Sequence, residues 1–136
     1  MLEQKLVEAA SRARKRAHAP YSGLSVGCAL EDEEGRVYVG CNVENASFSL
    51  TVCAERVALL KAVSEGSRRF SRMAVVAQEP LYPCGACLQA LSEFCSGDFE
   101  IISASADGRS HRRSLLSHLL AEPFTAGDLE AAGPDK

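Results

Sequence analysis

Apolar residues near the start of the chain recur at intervals of three or four, as they do on one face of an amphipathic helix. They are Leu2, Leu6, Ala9, Ala13 and Ala17. This spacing predicts a helix over about residues 3–17, and Pro20 with the following Ser22-Gly23 marks its end. The first element of the fold is therefore expected to be a helix with one buried face.

Short apolar runs bounded by turn residues predict strands farther along the chain. They lie at about residues 24–30, 36–41, 72–77 and 99–103, with a short fifth run at 110–113. The turn residues Glu33-Glu34-Gly35 separate the first two runs, so we expect these two strands to pair as a hairpin.

Longer apolar segments between and after the strands predict further helices. They span about residues 53–64 and 84–94, and the last runs through Leu115, Leu116, Leu119 and Leu120. Residues 42–50 are polar and irregular, which is typical of a loop that faces a ligand. Because strands alternate with helices, the sequence predicts a single α/β domain over residues 1–129, with a disordered tail at 130–136.

Composition places the chain among ordinary globular proteins. Of its 136 residues, 46% are hydrophobic and 24% are charged, and the formal net charge is −3. No apolar run reaches the length of a membrane span and the start lacks the features of a secretory signal, so we expect a cytoplasmic protein without a membrane partner. The acidic balance argues against nucleic-acid binding, and the basic cluster at residues 12–16 is interpreted as a solvated helix face.

Three of the six cysteines stand in a pattern typical of a metal site. Cys84 and Cys87 have the spacing of a ligand pair, and Cys53 precedes Glu55 by two residues. A structural zinc site has four protein ligands, whereas a catalytic site with three leaves a position open for water. Cys-x-Glu followed by Pro-Cys-x-x-Cys is a form of the zinc deaminase signature, in which the glutamate transfers protons.

The other three cysteines, Cys28, Cys41 and Cys95, lie among apolar residues and are interpreted as small buried side chains. If Cys28 or Cys41 completed the coordination, the chain would instead be a structural zinc module without catalysis.

Polar residues near the cysteine motifs are candidates for supporting roles. Arg56 follows Glu55 on an otherwise apolar helix, so we expect it to offset the negative charge of the thiolates rather than to pair with Glu65 at the surface. Asn42 and Glu44 are spaced to face the same way in an extended segment, where an amide and a carboxylate suit the hydroxyl groups of a sugar. Ordinary turn chemistry explains this pair equally well.

Taken together, the motifs resemble those of the small homotetrameric cytidine deaminases whose zinc is held by three cysteines. The shared segments are Ala19-Pro20-Tyr21-Ser22, residues 40–47, 51–56 and 83–89, and Pro123-Phe124-Thr125. This resemblance implies a three-layer α/β/α fold with a mixed five-stranded sheet and one Zn²⁺ per subunit. It also implies hydrolytic deamination of cytidine and 2′-deoxycytidine in pyrimidine salvage.

The same resemblance implies roles for individual residues. Cys53, Cys84 and Cys87 match the zinc ligands, and Glu55 matches the residue that shuttles protons.

Substrate contacts are implied in the same way. Asn42 and Glu44 match residues that bind the ribose hydroxyls, and the backbone around Ala54 matches the part that meets the pyrimidine edge. Phe124 matches a phenylalanine that stacks on the base from a neighbouring subunit, so the active sites of a homotetramer would be shared.

Three positions depart from the usual pattern of these enzymes. Leu24 stands where a phenylalanine beside the base is usual, Phe48 where tyrosine is usual, and Leu88 where arginine is usual. We expect the zinc chemistry to survive these changes and the affinity and substrate range to differ. An alternative function is therefore deamination of base-modified cytidines or nucleoside antibiotics.

Overall fold

The computed structural model describes residues 2–135. In chain order its elements are α1 (Glu3–Arg14), β1 (Gly27–Asp32), β2 (Val37–Cys41), a 3₁₀ turn (Phe48–Leu50), α2 (Ala54–Ser64), β3 (Phe70–Ala77), α3 (Gly85–Ser92), β4 (Glu100–Ser105), β5 (His111–Leu115), α4 (Leu116–Leu119) and α5 (Ala126–Ala132). The predicted strands and their alternation with helices are confirmed. Within the described chain, no helix is both long enough and apolar enough to cross a membrane.

The strands form one five-stranded sheet in the order β2-β1-β3-β4-β5. β3 and β4 run parallel to each other, and the other neighbouring strands are antiparallel. The mixed sheet that the sequence motifs implied is therefore confirmed, as is the hairpin of β1 and β2.

Helices cover the two faces of the sheet, as in a three-layer α/β/α fold. On one face, α1 packs its buried side chains against the small and branched residues of the central strands; this layer includes Leu6, Ala9, Ala10, Ala29, Ala74, Val76 and Ile102. On the other face, α2 and α3 pack over Leu30, Met73, Val75 and Ile101. The N-termini of α2 and α3 are thereby fixed on the same side of the sheet.

Two predicted boundaries shift where backbone groups bond to Asn42, in one case to its side chain and in the other to its main-chain carbonyl. Asn42 donates to the carbonyl of Leu24 (2.7 Å) and accepts from the N–H of Val26 (2.9 Å), so β1 begins at Gly27 and not at residue 24. Similarly, α1 ends at Arg14 and not at residue 17, and the N–H of His18 donates to the carbonyl of residue 42 at 2.9 Å.

The C-terminal segment is more ordered than the sequence pattern predicted. Thr125 and Asp128 form a reciprocal capping box at the start of α5, in which each side chain accepts a hydrogen bond from the backbone N–H of the other residue. This cap stabilises a helix that continues to Ala132, beyond the expected boundary at residue 129.

Close packing of α2 on β2 depends on Gly40. A Cβ atom at this position would lie 2.7 Å from both the carbonyl oxygen of Ala54 and the N–H nitrogen of Ala58. Both contacts are to helix backbone, so no side-chain movement can relieve them. Gly40 therefore sets the distance between the sheet and the first turn of α2, which carries Glu55 and follows Cys53.

We expect Gly40→Ala to destabilise the protein by about 1–3 kcal/mol, because α2 must move away from the sheet to admit the methyl group. Chemical denaturation monitored by circular dichroism measures this loss. Gly85→Ala is the matched control, since a Cβ there meets nothing within 4 Å and the residue is already helical. Equal stability of the two variants would contradict the packing role of Gly40.

Candidate functional site

The first turns of α2 and α3 bring three cysteine side chains together. Cys53 is the N-cap residue of α2, Cys84 is the N-cap residue of α3, and Cys87 lies in the first turn of α3. Their sulfur atoms all lie within 4.8 Å of one another. The predicted placement of both cysteine motifs at helix starts is confirmed, and helix N-termini stabilise thiolates there.

The geometry of these sulfur atoms fits a zinc ion. The Sγ atoms of Cys53 and Cys84 are 4.0 Å apart, and those of Cys84 and Cys87 are 3.6 Å apart. Zn–S bonds of about 2.3 Å in a tetrahedron require sulfur atoms about 3.8 Å apart, whereas a disulfide requires about 2.05 Å. Among residues 2–135, neither Cys28 nor Cys41 joins the cluster, so the described chain offers three sulfur ligands.

The charge of the thiolates is balanced by Arg56. Its Nη2 atom lies 4.0 Å from Sγ of Cys53. The pKa of Cys53 is lowered to about 5, chiefly because its thiolate accepts a hydrogen bond from Cys87, with Arg56 contributing further against the opposing effect of burial. The pKa of Cys87 is raised because this thiol donates to Cys53 and is buried. Arg56 thus points toward the cysteines and not toward the surface.

Glu55 is a buried carboxyl group beside the cluster, with an exposed fraction of 4%. Burial disfavours its charged form and raises its pKa to about 7, and the negative charge of Cys53 adds to this effect. Hydrogen bonding to Cys87 acts in the opposite direction and lowers the pKa. A buried carboxyl group with a raised pKa beside a metal site is typical of a residue that transfers protons.

A cavity of about 270 Å³ opens onto these groups. Its lining includes Cys53, Cys84 and Glu55 together with Leu24, Asn42, Glu44 and Ala54. A larger groove of about 490 Å³ lies between α1 and the β4–β5 hairpin, but it is lined by no cysteine. We therefore assign the smaller cavity as the candidate site, because the reactive side chains face it.

Asn42 and Glu44 line the cavity and also organise the segment before β1. The Asn42 amide holds the backbone of Leu24 and Val26, as described above. The Glu44 carboxylate accepts hydrogen bonds from the N–H groups of Tyr21 (2.9 Å) and Ser22 (3.1 Å) and from the Ser22 hydroxyl. Both residues therefore also organise local backbone, which is the alternative role that the sequence left open. They shape one wall of the cavity.

The remaining predicted site residues occupy different positions. Ala54 is fully buried under the cavity and Leu24 lies at its rim, with an exposed fraction of 43%. Phe124 is 60% exposed and is not part of the cavity lining in its own chain. Phe48 lies at the surface, where its ring meets Tyr21 edge-on with 5.7 Å between the ring centres.

Five residues that line the cavity were not predicted as site residues: Ser22, Val26, Thr51, Leu81 and Tyr82. The signal for Leu81 and Tyr82 was their position: they directly precede Pro83 and Cys84, so a loop that fixes one ligand also forms a wall of the cavity. Arg112 of β5 lies over the Tyr82 ring, 5.9 Å from its centre, and supports this wall from behind.

Comparison with known proteins agrees with this geometry. Residues 1–102 match the family described as the cytidine and deoxycytidylate deaminase zinc-binding region. The chain is 43% identical to a cytidine deaminase of Sporosarcina psychrophila over 131 residues, covering 95% of this chain and 96% of that protein. It is 44% identical to one from Halalkalibacterium halodurans, covering 95% and 98%.

Solved structures give the same result for the fold. The crystal structure of cytidine deaminase from Burkholderia pseudomallei superposes with a TM-score of 0.87 at 42% sequence identity. The superposition covers 91% of this chain and all of that one. The predicted α/β/α architecture is therefore confirmed.

Proposed function

The chain belongs to the cytidine and deoxycytidylate deaminase family, and we propose that it hydrolyses free cytidine and 2′-deoxycytidine to uridine and 2′-deoxyuridine, with release of ammonia. The observation that carries this proposal is a cluster of three cysteine thiols at a cavity that two of them, Cys53 and Cys84, line together with the buried Glu55. Relatives that match over nearly their whole length are named cytidine deaminases.

Cys53, Cys84 and Cys87 would hold the zinc ion through their thiolates. When bound, zinc supplies Lewis-acid activation, which brings the pKa of a water molecule toward about 7. Arg56 offsets the charge of the three thiolates, because its guanidinium lies beside Cys53. Without such a cation, surplus negative charge would oppose the ionisation of water.

Glu55 carries the protons of the reaction. Its carboxylate takes a proton from the attacking water and delivers it to the ring nitrogen next to C4 of the pyrimidine. The carboxylate then takes the remaining proton of the hydroxyl group added at C4 and passes it to the exocyclic amino group, which leaves as ammonia when its bond to C4 breaks. Water is consumed and ammonia is released, so the residue returns to its starting protonation state. The burial of Glu55 keeps this proton transfer away from bulk solvent.

Asn42 and Glu44 would orient the sugar, since both line the cavity with hydrogen-bonding groups. The backbone around Ala54 would meet the polar edge of the base, and Leu24 would contact its face. Leu24 at the rim is aliphatic and smaller than a phenylalanine, which favours a broader choice of base substituents.

Free nucleosides suit the cavity better than nucleotides. Among residues 2–135, none of those that line it is lysine or arginine, whereas Glu44 and Glu55 both contribute carboxyl groups. A 5′-phosphate would therefore enter a cavity with negative charge and no cation to pair with.

We expect cytidine and 2′-deoxycytidine to be deaminated with kcat/KM at least about ten-fold higher than their 5′-monophosphates, because the phosphate meets no cation. Formation of the uracil product, measured by chromatography across a panel of substrates, tests this, because N4-substituted cytidines release an amine other than ammonia. N4-methylcytidine belongs in the same panel, since its turnover would indicate the alternative class of base-modified substrates. Preference for the monophosphates would contradict the assignment to free nucleosides.

We further propose that the chain works as a cytoplasmic homotetramer with shared active sites, in pyrimidine salvage. The argument for sharing is that Phe124 is exposed and lies outside the cavity of its own chain. In an assembly, its ring would stack on the base bound by a neighbouring subunit. Light scattering coupled to size-exclusion chromatography measures the oligomeric state.

A further inference from the structure

The side chain of Gln89 is bonded to the backbone of Phe124 at both of its polar atoms. Its Nε2 donates to the carbonyl oxygen of Phe124 at 2.7 Å, and its Oε1 accepts from the N–H of Phe124 at 3.0 Å. The two hydrogen bonds close a ring in the manner of a strand pair. Gln89 lies on α3, two residues after Cys87, so it ties the C-terminal segment to the helix that carries two of the thiols.

The backbone on the other side of Phe124 is held as well. The next residue, Thr125, forms the capping box with Asp128 that begins α5. Phe124 itself is 60% exposed, so its ring contributes little to the core of its own chain. The segment is thus fixed by polar contacts on both sides of an apolar side chain that faces outward, so the direction of the ring is set by its backbone and not by packing in its own chain.

From this geometry we infer that Gln89 is a positioning residue for deamination. It fixes the backbone of Phe124 so that the ring meets the base bound in a neighbouring subunit. The inference rests on the proposed function and adds a residue that has no contact with the substrate. Gln89 therefore acts through Phe124, and its removal should resemble the removal of the Phe124 ring.

A surface hydrogen bond without functional consequence would behave differently. Loss of such a bond would change local order but not the affinity for substrate, because the segment carries no residue of the cavity in its own chain. KM and a double-mutant cycle distinguish the two interpretations, whereas the melting temperature does not.

The test compares Gln89→Ala, Phe124→Ala and the double variant with the wild-type chain. We expect Gln89→Ala to raise KM for cytidine about ten-fold with kcat changed less than about two-fold, since two hydrogen bonds are lost outside the core. We expect the double variant to match Phe124→Ala within about two-fold, because Gln89 has no further effect once the ring is absent.

Two further variants sharpen this test. Gln89→Glu keeps an acceptor for the Phe124 N–H but lacks the donor, so its KM should lie between those of wild type and Gln89→Ala. Gln4→Ala removes an exposed glutamine from α1 and should leave KM unchanged. Amide hydrogen exchange at Phe124 should accelerate in Gln89→Ala but not in Gln4→Ala.

An active Gln89→Ala variant with unchanged KM would overturn the role of Gln89 and leave the proposed function intact. The same conclusion would follow if the KM effects of the two substitutions added in the double variant. A wild-type chain that binds zinc but releases no ammonia from cytidine would overturn the proposed function, and the role of Gln89 would fall with it.

Discussion

Replacing Glu55 with alanine should lower kcat for cytidine by at least about 10³-fold while the protein keeps its fold and its zinc. The magnitude follows from the loss of general acid–base catalysis, which contributes about 10²- to 10⁴-fold, at two proton transfers of one reaction. Glu55 is not a sulfur ligand of the metal cluster, so its removal leaves the three thiols in place. Steady-state deamination and zinc content measured on the same preparation check both parts of the expectation.

Because Glu55 is buried, alanine leaves space behind and some loss of stability is expected. Glu55→Gln preserves the volume but cannot accept the proton, so it should be as inactive as Glu55→Ala with a melting temperature nearer to wild type. Glu65→Gln, at the exposed end of the same helix, is the matched control and should retain full activity. Appreciable turnover by Glu55→Gln would remove Glu55 from its assigned role.

Replacing Cys84 with alanine should abolish stable zinc binding, and deamination should fall below detection. A tetrahedral site with two remaining sulfur ligands holds zinc far more weakly, and the metal is required to activate water. Cys84 is exposed, so its replacement removes little packing and the effect reports on ligation. Metal analysis after dialysis should fall from about one zinc per chain to nearly none.

Cys95→Ala is the matched control for this variant. Cys95 is half-buried, its pKa is raised to about 12 by burial, and it lies outside the sulfur cluster. We expect it to keep zinc and activity with a modest loss of stability from the small cavity. If Cys84→Ala retained zinc as Cys95→Ala does, the three-sulfur site would be refuted.

Much of the fold and of the metal cluster could be predicted from the sequence because the signals are local. Apolar spacing places the helices and strands, and the positions of Cys53, Cys84 and Cys87 at helix starts follow from those elements. The predicted ends of helices and strands were less accurate, because they depend on hydrogen-bond partners that are distant in the sequence. The Asn42 amide, for example, takes backbone groups of Leu24 and Val26 that a regular strand would use.

Contacts between residues far apart in sequence were beyond the reach of such reasoning. Gln89 and Phe124 are 35 positions apart, and neither apolar spacing nor turn chemistry pairs them. The helix α5 was missed although its start carries a local signal, the Thr-x-x-Asp spacing of Thr125 and Asp128 that forms the capping box. Leu81 and Tyr82 were missed because their role depends on how the loop before Pro83 folds over the cavity.

X-ray absorption at the zinc edge of the purified protein tests the central claim most directly. A metal ion bound by three cysteines with one position left for water predicts about three sulfur neighbours at about 2.3 Å and one oxygen at about 2.0 Å. A fourth sulfur neighbour, or a protein that takes up no zinc, would contradict the claim and with it the assignment as a deaminase.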